Sequence, residues 1–152
     1  MDPHKKLAIC ERSADSLRDF YLRAYRLVDR QMAAQGTSLA RTKVLMLVAR
    51  DGATRSTDIA SALGQAPRTV TEAIDGLERD GLVRRDPDPE DRRAKRISVT
   101  DAGKAAIEAA EPIRHRFFLD AFGVLDDDEH AEFVRLLGKL NQRLEEMSAE
   151  EG

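Results

Sequence analysis

Apolar residues recur along most of this chain at steps of three and four, the period of a helix with one buried stripe. From about Glu11 to Gln35 the stripe is Leu17, Phe20, Tyr21, Ala24, Val28 and Met32, and Gly36 ends it. Ser38 has the side chain to cap a second helix, with Leu39, Val44, Leu45 and Val48 inside and Asp51-Gly52 at its end. Ser56 or Thr57 can open a shorter helix bearing Ile59, Ala60 and Leu63, stopped by Gly64. Pro67 suits the first position of the next helix, where a missing N–H costs nothing, and it forces Ala66 out of helical geometry. Val70, Ala73, Ile74 and Leu77 give that helix one apolar face, and Gly81 closes it.

Beyond Gly81 the period drops to two. "LVRR" and "KRISV" alternate on either side of a polar tip from Asp86 to Arg92, which predicts a two-stranded hairpin with a long loop. Two strands alone are marginal in water, so the hairpin is expected to lie on the helices before it. Thr100-Asp101 caps a further helix carrying Ala106, Ala110, Ile113, Phe117 and Ala121, with Pro112 as a kink. Asp126 with Glu129 spells a capping box for the last helix, lined by Phe133, Leu136, Leu137, Leu140, Leu144 and Met147.

A short helix, a glycine turn, a second helix and a hairpin define a winged helix-turn-helix. The expected fold class is therefore mainly α (α+β), with dimerisation helices at both ends. Residues 1–152 read as a single domain, with the winged lobe at 38–103 and a helical dimerisation region made by 1–37 and 104–152. The lobe has a core of its own, so the two terminal stripes need a partner. A second copy of the chain supplies one.

The second helix of the motif can enter a DNA major groove, about 12 Å wide. With its apolar face inward, a rotation of about 100° per residue turns Arg68, Glu72, Asp75 and Arg79 outward. Thr69 and Thr71 flank that face near the positive, N-terminal end of the helix. The hairpin tip would reach the next minor groove, which is about 6 Å wide and concentrates negative potential. Arginine carries a permanent planar cation on a long stem and fits there, and the tip holds Arg92 and Arg93. Asp91, two residues before Arg93, can accept hydrogen bonds from that side chain and hold it extended, while Pro87 and Pro89 stiffen the loop. Arg84 and Arg85 lie on a strand beside the core, where local ion pairs compete with phosphate contact.

Composition narrows the alternatives. With 41% hydrophobic and 35% charged residues the chain suits a soluble globular protein, and no apolar run approaches the about 18 residues that span a bilayer. The N-terminus lacks the order of a signal peptide, so a cytoplasmic location is expected. A net charge of -3 excludes a protein coated in nucleic acid. It leaves room for a local basic footprint, because salt confines charge effects to about 8 Å. Cys10 is the single cysteine, which rules out an internal disulfide and leaves a thiol-based redox sensor as an alternative reading. His4, His115 and His130 have no metal-ligand spacing, and no nucleophile motif or glycine-rich phosphate loop occurs. Neither a metal, a cofactor nor catalysis is expected.

The run "GLVRRDPDPEDRRAKRISVTDAG", Gly81 to Gly103, resembles the wing and following helix start of the MarR family of bacterial transcription regulators, including its Asp-x-Arg element and its Leu/Val-Thr-x-x-Gly ending. The final "FVRLLGKLNQRLEE" resembles the last helix of that family. The resemblance implies a homodimer on a pseudo-palindromic double-stranded operator, usually a repressor released by a small-molecule effector or by thiol oxidation. By position it implies that Arg93 is the minor-groove arginine, Asp91 its orienting partner, and Thr71 with its neighbours the recognition-helix contacts. It also implies an effector crevice between the dimer helices and the DNA-binding lobe, which Tyr21, Tyr25, His115 and Phe118 could line. One departure is Glu72, where members often carry a basic residue. An acid there repels phosphate, so Glu72 is expected to pair with Arg68 one turn earlier and position it as the base reader. With Asp75, Glu72 also motivates a competing reading, a winged-helix module that binds protein instead of DNA.

Overall fold

Ser38 and a run of well-placed glycines set most helix boundaries in the computed structural model, which describes residues 2–151. The first helix, α1 (Pro3–Ala33), starts well before the apolar period does. Asp2 accepts a hydrogen bond from the His4 N–H at 3.0 Å and Pro3 fills the first position, so the start is set by capping. In α2 (Leu39–Asp51) the Ser38 hydroxyl accepts from the Arg41 N–H, as its sequence position predicts, and Asp29 of α1 accepts from the Leu39 N–H.

Next come β1 (Thr54–Arg55), α3 (Ser56–Leu63) and α4 (Pro67–Arg79). Two expectations are corrected here. The N-cap of α3 is Arg55, with no side-chain cap bond, because the chain enters the helix directly from a strand. That strand, β1, pairs antiparallel with β3 (Lys95–Val99), which also pairs with β2 (Val83–Pro87). The hairpin is thus part of a three-stranded sheet of order β1-β3-β2, and its third strand is too short to show alternation in sequence. Between α3 and α4, Gly64 adopts φ 60° and ψ 34°, a left-handed conformation that side chains disfavour. Ala66 at ψ 139° is extended ahead of Pro67, as a residue before proline should be.

Val44, Val48, Ile59, Val70, Ile74, Leu77, Val83 and Ile97 form a core drawn from α2, α3, α4 and both long strands. The recognition-type helix α4 is therefore fixed by its inner face, which leaves its outer face free for other work. The guanidinium of Arg41 lies over Gly76 of α4 and donates to Asp80 at 2.9 Å, and a Cβ on Gly76 would meet Arg41 Nη2 at 2.2 Å. A side chain at position 76 would therefore displace the Arg41 guanidinium from its place over α4.

The wing is tied to α5 (Asp101–Phe122) through Thr100. Its hydroxyl donates to the Gly81 carbonyl at 2.7 Å and accepts from the Gly103 N–H, and its own N–H donates to the Leu82 carbonyl. Pro112 lies inside α5, which continues through it to Phe122. The chain divides into two compact units, one up to Arg114 and one from His115.

The second unit contains α6 (Asp127–Glu150), opened by the predicted capping box: Asp126 accepts from the Glu129 N–H and Glu129 accepts from the Asp126 N–H, both at 2.9 Å. Asp126→Ala is expected to cost about 1 kcal/mol, read as a lower thermal midpoint, with most of the loss retained in Glu129→Ala. Phe117, Phe118, Phe122 and Phe133 follow one another in this unit at ring distances of 5.9 to 6.4 Å. No residue of α6 is buried, and Val134, Leu136, Leu140, Leu144 and Met147 are exposed. Leu7, Leu17 and Leu27 of α1 are exposed as well. Among the described residues, no helix is long and apolar enough to cross a membrane.

Candidate nucleic-acid interface

Burial of Val70, Ala73, Ile74 and Leu77 turns Arg68, Thr69, Thr71, Glu72, Asp75 and Arg79 of α4 outward, all of them exposed. Arg68 donates through Nε to Glu72 at 3.0 Å, the pairing expected from their spacing. The bond uses one guanidinium nitrogen and leaves the two terminal ones, which are those that read guanine as a fork. Arg68 is 90% exposed at its side chain, so it is held but not hidden. The Thr71 hydroxyl donates to the Pro67 carbonyl at 2.9 Å. Asp75, outward-facing as its spacing predicts, accepts from Arg85, which also donates to Glu78 at 2.9 Å. Arg84 donates to Asp86 at 2.9 Å. Both strand arginines thus make local ion pairs, and Arg85 ties β2 to α4.

The tip of the wing spans residues 88–94, between the end of β2 and the start of β3. Its Asp88 is the residue that sequence reading missed. It lies within the polar tip expected from Asp86 to Arg92, yet its side chain is fully buried and accepts four hydrogen bonds. Arg55 Nε at 2.8 Å and Arg96 Nε at 2.9 Å donate to Oδ2, and the N–H groups of Glu90 and Asp91 donate to Oδ1 at 2.8 and 3.1 Å. The available signal was local: an aspartate followed by proline at the head of a turn can accept from N–H groups two and three residues on. The Arg55 partnership is long-range and leaves no such mark.

Arg55 and then Arg96, with the two N–H groups, hold the Asp88 carboxyl far below the usual carboxylate range. The unfolded chain, with an ordinary value near 3.8, takes up a proton that the folded chain refuses. Asp88 therefore contributes stability that is present above about pH 4 and is lost as pH falls below that. The measurable consequence is that the stability advantage of the natural chain over Asp88→Asn shrinks as an acid titration proceeds below pH 4.

Asp91 orients Arg93 in a different way from that expected. It accepts from the main-chain N–H of Arg93 at 2.9 Å, which shapes the turn instead of gripping the guanidinium. Among the described residues, the exposed side chains of Arg92 and Arg93 have no ion-pair partner, unlike Arg84, Arg85 and Arg96 nearby. These two cations, at the tip of a hairpin whose strand arginines are all paired, are available to an external anion.

Tyr21 and Tyr25 of α1 stand 6.3 Å apart, and Lys43 Nζ of α2 lies 5.8 and 5.3 Å from their ring centres. Burial pushes the Tyr25 phenol up, with the Asp29 and Tyr21 charges adding to it. His115 and Phe118 belong to the second unit, where Phe118 packs against Phe117 and Phe122. Cys10 is exposed on α1. No cluster of His, Cys, Asp and Glu among the described residues could hold a metal ion.

A buried-faced helix beside a wing with free arginines defines a winged helix-turn-helix DNA-binding regulator. Known proteins agree with that class. Residues 37–95 match the family described as the MarR family. The chain is 33% identical over 131 residues to the HTH-type transcriptional repressor YetL of Bacillus subtilis, covering 85% of this chain and 78% of that protein. It is 32% identical to the HTH-type regulator YkoM of the same organism, over 78% and 80% of the two chains. Among solved structures, Bordetella bronchiseptica BpsR, whose DNA binding is regulated by 6-hydroxynicotinic acid, superposes with a TM-score of 0.76 at 26% identity, over 86% of this chain and 98% of that one. A MarR-like regulator from Bacillus cereus shares the fold at a TM-score of 0.82, over 90% and 99%. This chain belongs to the MarR family, and its curated relatives are helix-turn-helix regulators of transcription.

Proposed function

We propose that the chain is a homodimeric repressor that binds a pseudo-palindromic operator and is released by a small-molecule effector. Arg68, Thr69 and Thr71 at the start of α4 meet the major groove, with Glu72 holding Arg68. Arg93 enters the minor groove, and Arg92 meets a phosphate beside it. The observation that carries this reading is the contrast at the wing, where Arg92 and Arg93 alone are left without anionic partners among the described arginines of that element. The likeness to YetL supports repression. The exposed apolar residues of α1 and α6 support a second copy as partner, within the organisation of a winged lobe at 38–103 and dimerisation segments on either side.

For the effector, the likeness to BpsR supports a small organic acid, and Lys43 above two phenol rings offers such an acid a cation. The protein works in the cytoplasm by binding alone, without catalysis, metal or cofactor. Selection of bound duplexes from a random pool tests the reading. The expected product is an inverted repeat with half-sites about one helical turn apart. Enrichment of no sequence, or of a single asymmetric site, would overturn it.

A further inference from the structure

Arg55 and Arg96 are direct cross-strand partners in the β1·β3 register. Like charges placed opposite each other in a ladder repel, and β1 contributes only two residues to hold the pairing. Asp88 removes the conflict by placing one carboxylate oxygen against both guanidinium groups. Its other oxygen holds the N–H groups of Glu90 and Asp91, and Asp91 in turn holds the N–H of Arg93. The loop is closed by the Asp88 N–H donating to the Ala94 carbonyl and the Ala94 N–H to that of Asp91. A continuous chain of bonds therefore runs from Arg55, the residue that opens α3, to the backbone of the free arginine at the tip.

We propose that Asp88 is the positioning residue of the wing: by joining Arg55 and Arg96 to the turn it sets where Arg93 stands relative to the helix-turn-helix, and so fixes the separation between the two DNA-reading elements. Asp88 itself does not touch DNA, since its side chain is fully enclosed. The inference rests on the DNA-binding role proposed for Arg93.

The experiment is a double-mutant cycle with Asp88→Asn and Arg93→Ala, on a duplex selected by the natural chain, with affinity measured across a salt series. Asp88→Asn is expected to weaken binding roughly tenfold or more and to lower the salt slope by about one per wing, as Arg93→Ala does. The double variant should be little weaker than either single one, because both changes remove the same contact. Additive losses, or a lower melting temperature with an unchanged salt slope, would show Asp88 to be structural only and would overturn the proposal. If Asp88→Asn does not fold, Arg55→Gln carries the same comparison from the far end of the chain of bonds. If Arg93→Ala binds as the natural chain does, the DNA reading of the wing fails first, and that outcome is distinct from failure of Asp88 alone.

Discussion

Gly103→Ala is expected to be among the most damaging single substitutions in the winged lobe. A Cβ at this position would stand 2.1 Å from the Leu82 carbonyl oxygen and 2.7 Å from Val99 Cγ1. The first of these is backbone and cannot swing aside. That carbonyl is also engaged by the Thr100 N–H, and Thr100 clasps Gly81 and Gly103 from either side. Relief thus requires the base of the wing to separate from the start of α5. Overpacking of this kind costs about 1–3 kcal/mol or more. For a chain of this size it corresponds to a fall in melting temperature of roughly 2–4 °C per kcal/mol. Gly138 of α6 is the control, since a Cβ there meets nothing within 4 Å. Gly138→Ala should raise stability by about 0.5–1 kcal/mol. Calorimetry that finds the two alanine variants equal would refute the close-approach explanation of Gly103.

Arg93→Ala is expected to produce the largest loss of operator affinity from a change that leaves the fold intact. Arg93 is exposed and has no ion pair among the described residues to lose, so its removal should not move the melting temperature. A groove-inserted arginine contributes about 1–3 kcal/mol, and a dimer carries two, so the summed loss of about 2–6 kcal/mol should lower the affinity by roughly thirtyfold to ten-thousandfold. The dependence on salt should fall by about one counterion for each wing. Arg84→Ala is the comparison, because Arg84 is already paired with Asp86 and should matter much less. A titration in which Arg93→Ala retains both affinity and slope would place the wing outside the interface.

Most of this architecture could be read from local signals. Ser38, Pro67, Gly64 and the Asp126–Glu129 box each act on backbone groups within a few residues, and each appears where its chemistry predicts. The outward face of α4 and the Arg68–Glu72 pair followed from helical spacing alone. What escaped the sequence was long-range. Thr54-Arg55 is a strand only because β3 lies alongside it, and two residues cannot display a period. Asp88 looks like any charged turn residue until Arg55, 33 positions earlier, is folded against it. Asp75 likewise acquired a partner from another element, Arg85. Charge runs are ambiguous in sequence because burial, which decides whether a carboxylate is solvated or organising, is set by tertiary neighbours.

The oily faces left uncovered on α1 and α6 tie the amount of finished regulator to its own abundance. Pairing of copies rises with the square of their number when they are scarce, so DNA binding by the proposed dimer should switch on steeply as the gene product accumulates. Dilute preparations should therefore unfold at lower temperature than concentrated ones.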